Sequence, residues 1–161
     1  MTLTEVEQKL EAQSFVDPAM IHSAFEFWYS DSEHIRSPFP VYIRDNLKIR
    51  AIYDFLKWVE AISEKARKEI NDEILAEKFE EVLFEAANAM VLTEDEKLTI
   101  KYPFLPRAGD WINEKDKPVE VASSVVMDRW IIKKDDHVFL KVKMENKTTG
   151  DNWETEFELP E

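Results

Sequence analysis

Hydrophobic residues in the middle of the chain recur every three or four positions. They occur between Asp45 and Leu92, in a stretch without Gly or Pro, as Ile52, Leu56, Val59, Ala66, Ile70, Ile74, Leu75, Phe79, Val82, Ala86 and Met90. This spacing places apolar side chains on one face of an α-helix. The stretch is therefore predicted to be helical.

A single straight helix of this length does not fit a compact domain. It would span about 70 Å, whereas a domain of this size has a radius of gyration of about 15 Å. The apolar pattern shifts by one position between Ile74 and Leu75, and Asn71 and Asp72 just before it are favourable N-cap residues. We therefore expect a turn or sharp kink near residue 71 and a long helical hairpin, with a continuous helix as the alternative.

Two shorter helices are expected before the hairpin. Thr2 or Thr4 can cap the first of them. Asp17 followed by Pro18 is a start signal for the second, because Pro at the first helical position has no N–H to leave unpaired. The N-terminal part is thus predicted to be helical, apart from a polar loop over residues 30–40.

From Thr99 onward, apolar and polar residues alternate, as is typical of β-strands. A strand is expected over Val119–Met127, and a tight turn at Asp135 and Asp136 is expected to place Ile131 beside Leu140 on the core side. Centring the last turn on Thr148 and Thr149 pairs Met144 with Trp153, Val142 with Thr155, Leu140 with Phe157 and Val138 with Leu159 on one face, and Lys143 with Glu154 and Lys141 with Glu156 on the other. Both faces favour the same register, because apolar residues meet on one and opposite charges on the other.

These elements predict an α+β fold. The N-terminal helices and the long helical hairpin, residues 1–98, are expected to pack on one face of an antiparallel β-meander of four or five strands, residues 99–161. Because the hairpin and the sheet each have an apolar face to cover, we expect a single domain over residues 1–161. The alternative is a helical bundle followed by a small β-barrel.

Composition narrows the expected environment and partners. The formal net charge is -13, which disfavours nucleic acid and anionic membranes and favours a basic protein as partner. The chain has no Cys, which excludes disulfides, thiolate zinc sites and cysteine nucleophiles. No signal peptide or apolar segment of membrane-spanning length is present, so the sequence predicts a soluble, cytoplasmic protein.

Catalytic and metal-binding signatures are not found in the sequence. Gly109 and Gly150 are the only glycines, and neither opens a helix as a phosphate-binding loop requires. Asp31 and His34 stand three residues apart, but carboxylate-bridged metal sites in helical bundles need two such pairs. We therefore assign no catalytic residue, metal or cofactor, and whether the chain is an enzyme stays open.

Two features are candidates for binding a protein. Residues 69–96 carry ten acidic side chains and one Lys, among them Glu77, Glu81 and Glu85 at helical spacing. They form either a solvated helix face or a docking face for a basic partner. On the sheet, Trp130, Ile132 and Phe139 are predicted to share the side opposite Leu140, where they are either covered by a loop or helix or mark a contact surface.

The leading functional hypothesis is a non-enzymatic protein-binding module, an adaptor or an inhibitor of a basic partner. The alternative is a small-ligand-binding protein or an enzyme with an aromatic pocket at the helix-sheet junction, formed by Trp28, Tyr29, Asp31 and His34 around the polar loop of residues 30–40. Self-association into a homodimer through Trp130, Ile132 and Phe139 is a third hypothesis.

Overall fold

The computed structural model describes residues 1–31, 36–113 and 123–160. The chain divides into two compact units, Met1–Pro103 and Phe104–Glu161. Within the described residues, all helices lie in the first unit and all strands in the second. The predicted α+β class is thus confirmed, whereas the expectation of a single domain stays a prediction.

The helical unit begins with helices whose caps follow the predicted signals. The helices of the described residues are α1 (Leu3–Ala12), α2 (Pro18–Trp28), α3 (Val41–Ala61), α4 (Glu64–Arg67), α5 (Asp72–Met90) and α6 (Glu94–Lys101). Oγ1 of Thr2 accepts a hydrogen bond from the Glu5 amide at 3.2 Å, and Oδ1 of Asp17 accepts one from the Ala19 amide at 2.9 Å. Both caps satisfy N–H groups that the first turn of a helix leaves unpaired.

The long helical stretch is interrupted, so the continuous alternative is wrong. The short α4 separates α3 from α5. Oδ1 of Asn71 caps α5 by accepting from the Ile74 amide at 2.9 Å, and Oγ of Ser63 caps α4 by accepting from the Ala66 amide at 3.2 Å. The break near residue 71 is therefore confirmed, and a second one lies at the end of α3.

Burial confirms most of the predicted apolar face of the hairpin. Phe55 in α3 and Phe79 in α5 are both buried, and their ring centroids lie 5.3 Å apart. Buried beside them are Ile52, Leu56, Val59, Leu75, Val82 and Ala86. Ile74 differs from the prediction, since it is 41% exposed. Its place in the first turn of α5 puts it on the side of the exposed Glu77 and Glu81, so the buried face of α5 begins at Leu75.

Helix α6 corrects the expected start of the strands. The alternation from Thr99 onward predicts β-structure, but Thr99 lies inside α6. Oγ1 of Thr93 accepts from the Glu96 amide at 3.1 Å, and Oε1 of Glu96 accepts from the Thr93 amide at 3.0 Å, which forms a capping box. Because only Thr99 and Ile100 of this helix are buried, its apolar pattern is too short to show a helical period.

The second unit forms one antiparallel sheet in the order β1-β2-β3-β4. Its strands are β1 (Trp111–Asn113), β2 (Ser123–Lys134), β3 (His137–Asn146) and β4 (Asn152–Glu158), and each pairs with the next. In the described residues β1 and β4 do not pair, so the sheet is an open meander and the barrel alternative is wrong. The expected strand Val119–Met127 is present from Ser123, and residues 119–122 lie outside the described residues.

The predicted register of the last hairpin is confirmed. The observed partners are Met144 and Trp153, Val142 and Thr155, Leu140 and Phe157, Lys143 and Glu154, and Lys141 and Glu156. The Leu159 amide donates to the Val138 carbonyl at 2.8 Å, which continues the same alignment. Leu140, Val142 and Met144 are fully buried, so the face they share is the core side of the sheet.

The tight turn between β2 and β3 is also where it was expected. Asp135 and Asp136 have φ values of 47° and 68°, the left-handed backbone that two-residue hairpin turns favour. The turn pairs Ile131 with Leu140, but Ile131 is 47% exposed and is not a core residue. Within the described residues β1 pairs with β2 only as far as Val125, so Ile131 has a neighbouring strand on the β3 side alone and fewer side chains to pack against.

Candidate functional site

The register brings Trp130, Ile132 and Phe139 together on one side of the sheet, and we call these three residues the sheet patch. Ile132 and Phe139 are cross-strand partners. Trp130 lies two residues before Ile132 and so on the same side, since side chains alternate along a strand. All three side chains are half-buried, neither fully solvated nor part of the buried core. The predicted proximity of the three residues therefore holds.

Charged residues border the sheet patch on its own side. The Lys134 ammonium lies 5.8 Å from the centroid of the Phe139 ring and donates to Oε1 of Glu156 at 2.8 Å. The hydrogen bond from Lys134 lowers the pKa of Glu156. Lys141, the cross-strand partner of Trp130, forms an ion pair with Glu154 at 3.2 Å. The sheet patch is thus an apolar surface rimmed by ion pairs.

The second candidate surface is on α5, and we call Glu77, Glu81 and Glu85 the acidic stripe. All three are exposed and follow one another at four-residue spacing, so they lie on one face of the helix. Lys78 pairs with Glu81 at 3.1 Å. Like charges at this spacing repel by about 0.2–0.5 kcal/mol per pair, which a basic partner would relieve.

Trp28, one of the predicted ligand-binding residues, packs among other aromatic rings. Its ring centroid lies 4.8 Å from that of Phe84 and 6.4 Å from that of the buried Phe39. Its indole N–H donates to Oε1 of Glu80 at 3.3 Å. Packing against the rings and pairing with Glu80 engage much of the side chain, which is half-buried.

Tyr29 and Asp31, two further predicted ligand-binding residues, are joined through Arg44. The Tyr29 hydroxyl donates to the Arg44 carbonyl at 2.8 Å, and burial raises the pKa of this hydroxyl. The Arg44 guanidinium forms an ion pair with Oδ2 of Asp31 at 3.0 Å, while Oδ1 of Asp31 accepts from the Ser37 amide at 3.0 Å. These contacts tie the ends of the loop to α3. His34 lies outside the described residues, so the complete predicted set stays a prediction.

No metal-binding cluster is present in the part of the chain that the structure describes, where no three His, Asp or Glu side chains converge. His22 in α2 is exposed, and its Nε2 atom lies 2.9 Å from Oε2 of Glu7. His137 similarly pairs with Glu158 at 2.9 Å. Both histidines therefore contact a carboxylate at the surface of the chain.

Sequence reasoning did not identify a cavity near the end of α3, which is lined by Phe15, Val59 and Arg67 among others. These residues come from separate segments, and in the sequence Arg67 belongs to an ordinary basic run. The one signal in the sequence is the long gap in the apolar pattern between Val59 and Ala66, which marks the end of α3.

None of the helices in the described part of the chain has the length and hydrophobicity that a membrane span requires.

Comparison with known proteins gives no relative for this fold. No protein-family model matches the chain, and no curated protein and no solved structure matches it.

Proposed function

We propose that this chain is a non-enzymatic protein-binding module, an adaptor or inhibitor of a basic protein in the cytoplasm. The observation that supports this function best is the sheet patch, in which Trp130 lies beside the cross-strand pair of Ile132 and Phe139. Apolar surface rimmed by polar residues is typical of protein contact sites, and Trp is enriched among the residues that contribute most to binding.

The acidic stripe supports the choice of a basic partner. Its three carboxylates are exposed, and the whole chain has a formal net charge of -13. Such a charge accelerates encounter with a basic protein and contributes less to the lifetime of the complex. We therefore assign the acidic stripe a role in the association rate and the sheet patch a role in the dissociation rate.

A capture experiment with matched variants tests this function. The full chain is immobilised as wild type, as Trp130→Ala, and with Glu77, Glu81 and Glu85 changed to Lys. The control variants are Phe104→Ala, which removes an aromatic side chain that is 85% exposed, and a triple change of Glu11, Glu26 and Asp45 to Lys, which alters the net charge equally at other exposed positions.

Each outcome of this experiment bears on the proposal. We expect partners to be lost with Trp130→Ala and with the reversed acidic stripe, and to be retained with both controls. Recovery that is the same for all five proteins would refute the function. Light scattering at several protein concentrations tests the homodimer hypothesis separately, because a homodimer through the sheet patch dissociates on dilution and on Trp130→Ala.

The alternative of a ligand site around Trp28, Tyr29, Asp31 and His34 has less support. The first three of these residues are engaged with Glu80, Arg44 and Ser37, as described above. Contacts of this kind fix the chain conformation and leave fewer of their polar groups for a ligand.

A further inference from the structure

A cavity of about 270 Å³ lies in the helical unit, where the last turn of α1 and the residues after it meet the end of α3 and α4. Its apolar wall includes Ala12, Leu56 and Val59, and Lys9 and Arg67 also line it. We call this cavity the arginine pocket. It shares no residue with the sheet patch or the acidic stripe.

Two contacts hold the Arg67 side chain in the arginine pocket. Its Nη2 atom donates to the Val59 carbonyl at 2.9 Å. Its Cζ atom lies 5.1 Å from the centroid of the Phe15 ring, so the guanidinium is close to an aromatic ring. Cation-aromatic contact and the hydrogen bond together fix the position of the charge.

The guanidinium nevertheless has an unsatisfied donor. Its Nε atom is buried and has no hydrogen-bond partner within the described residues. Glu60 lines the same cavity, yet in this part of the chain Arg67 forms no ion pair with it or with any other carboxylate. Buried donors and charges are normally paired, because leaving them without an acceptor costs free energy.

We propose that the arginine pocket binds a short-chain organic carboxylate. A carboxylate in the cavity supplies the counter-charge that the guanidinium lacks among the described residues, while the buried Nε–H stays out of its reach. Lys9 adds a second positive charge, while Leu56 and Val59 offer apolar contact to a short alkyl chain. Glu60 and the net charge of -13 act against ligands with a higher negative charge, such as phosphate.

The probe for this site is butyrate, with butyramide as its uncharged analogue of the same shape. Each is titrated into the full chain at constant ionic strength, and inorganic phosphate forms a third series. Nuclear magnetic resonance follows the backbone amides of Phe15 and Arg67, two residues that line the cavity. We expect a saturable shift of both amide signals with butyrate, at least tenfold weaker binding of butyramide, and no saturable shift with phosphate.

Variants on α4 separate the role of the guanidinium from the effect of charge alone. We expect Arg67→Gln to weaken butyrate binding at least tenfold, and Lys65→Gln, at an exposed position on the same helix, to leave it unchanged. If Arg67→Gln fails to fold, the titrations of the wild type still decide the question. Equal shifts with butyrate and butyramide, or the absence of a saturable shift with butyrate, would overturn the proposal without affecting the proposed protein-binding function.

Discussion

The hydroxyl of Tyr42 donates a hydrogen bond to Oε2 of Glu96 at 2.8 Å and thereby joins α3 to α6. The same hydroxyl accepts a hydrogen bond from the Leu92 amide at 3.2 Å. The bond from Tyr42 is the main cause that lowers the pKa of Glu96, and the bonds from Thr93 act in the same direction. The ionised form of Glu96 is therefore the one that stabilises this contact.

We expect Tyr42→Phe to lower the free energy of unfolding slightly at pH 7, because the hydrogen bond to Glu96 is lost at an exposed position where water competes for it. Since the pKa of Glu96 is lower in the folded chain, its stabilisation is fully present above the unfolded-state pKa, near 4.5, and is lost as the pH falls through the folded-state value. Urea unfolding at several pH values measures this dependence.

The control for Tyr42→Phe is Tyr102→Phe, in the same unit, where the hydroxyl makes no hydrogen bond within the described residues. It is expected to leave stability unchanged. A Tyr42→Phe effect that is equally large well below pH 4.5 and at pH 7 would contradict the role of ionised Glu96.

The cap of α5 gives a second prediction. We expect Asn71→Ala to destabilise the chain by about 1 kcal/mol, within a range of about 0.5–2 kcal/mol, because the Ile74 amide loses its acceptor. Thermal or urea unfolding followed by circular dichroism measures the change. Asn88→Ala is the matched control, since Asn88 is exposed near the other end of α5. Equal stabilities for the two variants would argue against the cap.

The cross-strand pair of Ile131 and Leu140 provides a third prediction, because its members differ in burial. Leu140 is fully buried, whereas Ile131 is 47% exposed. Leu140→Ala should therefore cost about 2–5 kcal/mol, as large-to-small changes in a core do, and Ile131→Ala should cost less than about 1 kcal/mol. The comparison is made by urea unfolding. A larger loss of stability for Ile131→Ala than for Leu140→Ala would show that Ile131, and not Leu140, is the buried member of the pair.

The turn between β2 and β3 gives a fourth prediction. Asp136 has a φ of 68°, which glycine adopts without the steric cost that a Cβ atom imposes. We expect Asp136→Gly to raise the free energy of unfolding by about 0.5 kcal/mol, the relief of strain exceeding the entropic cost of glycine. Asp151→Gly, outside the left-handed region, should give no such gain. A loss of stability in Asp136→Gly would contradict the turn geometry.

Local signals in the sequence predicted much of the fold. Thr2, Asp17 and Asn71 each cap a helix through their own side chains, so their effect does not depend on distant residues. The last hairpin was predictable because apolar pairing on one face and charge pairing on the other require the same register. The capping box of Thr93 and Glu96 is an equally local signal, and it marks the start of α6 where the alternation alone suggests a strand.

Features that depend on distant parts of the chain could not be predicted. Ile131 is exposed in a part of β2 that β1 does not reach within the described residues. The alternating pattern of β2 itself gives no information on how long β1 is. The arginine pocket requires Phe15, Val59 and Arg67 to meet, and the gap in the apolar pattern after Val59 marks only the end of α3, not this meeting of separate segments. The sheet patch was predictable, since Trp130 and Ile132 share a strand with a simple alternation.

The shortness of β1 has a further consequence for β2. From Met127 to Lys134, within the described residues, β2 has a neighbouring strand only on the β3 side. An open strand edge can pair with a strand of another molecule and start aggregation. Asp128, Lys133 and Lys134 place charges along this edge, and charged edge residues oppose such pairing. We therefore expect these charges to disfavour pairing of β2 with a strand of another molecule.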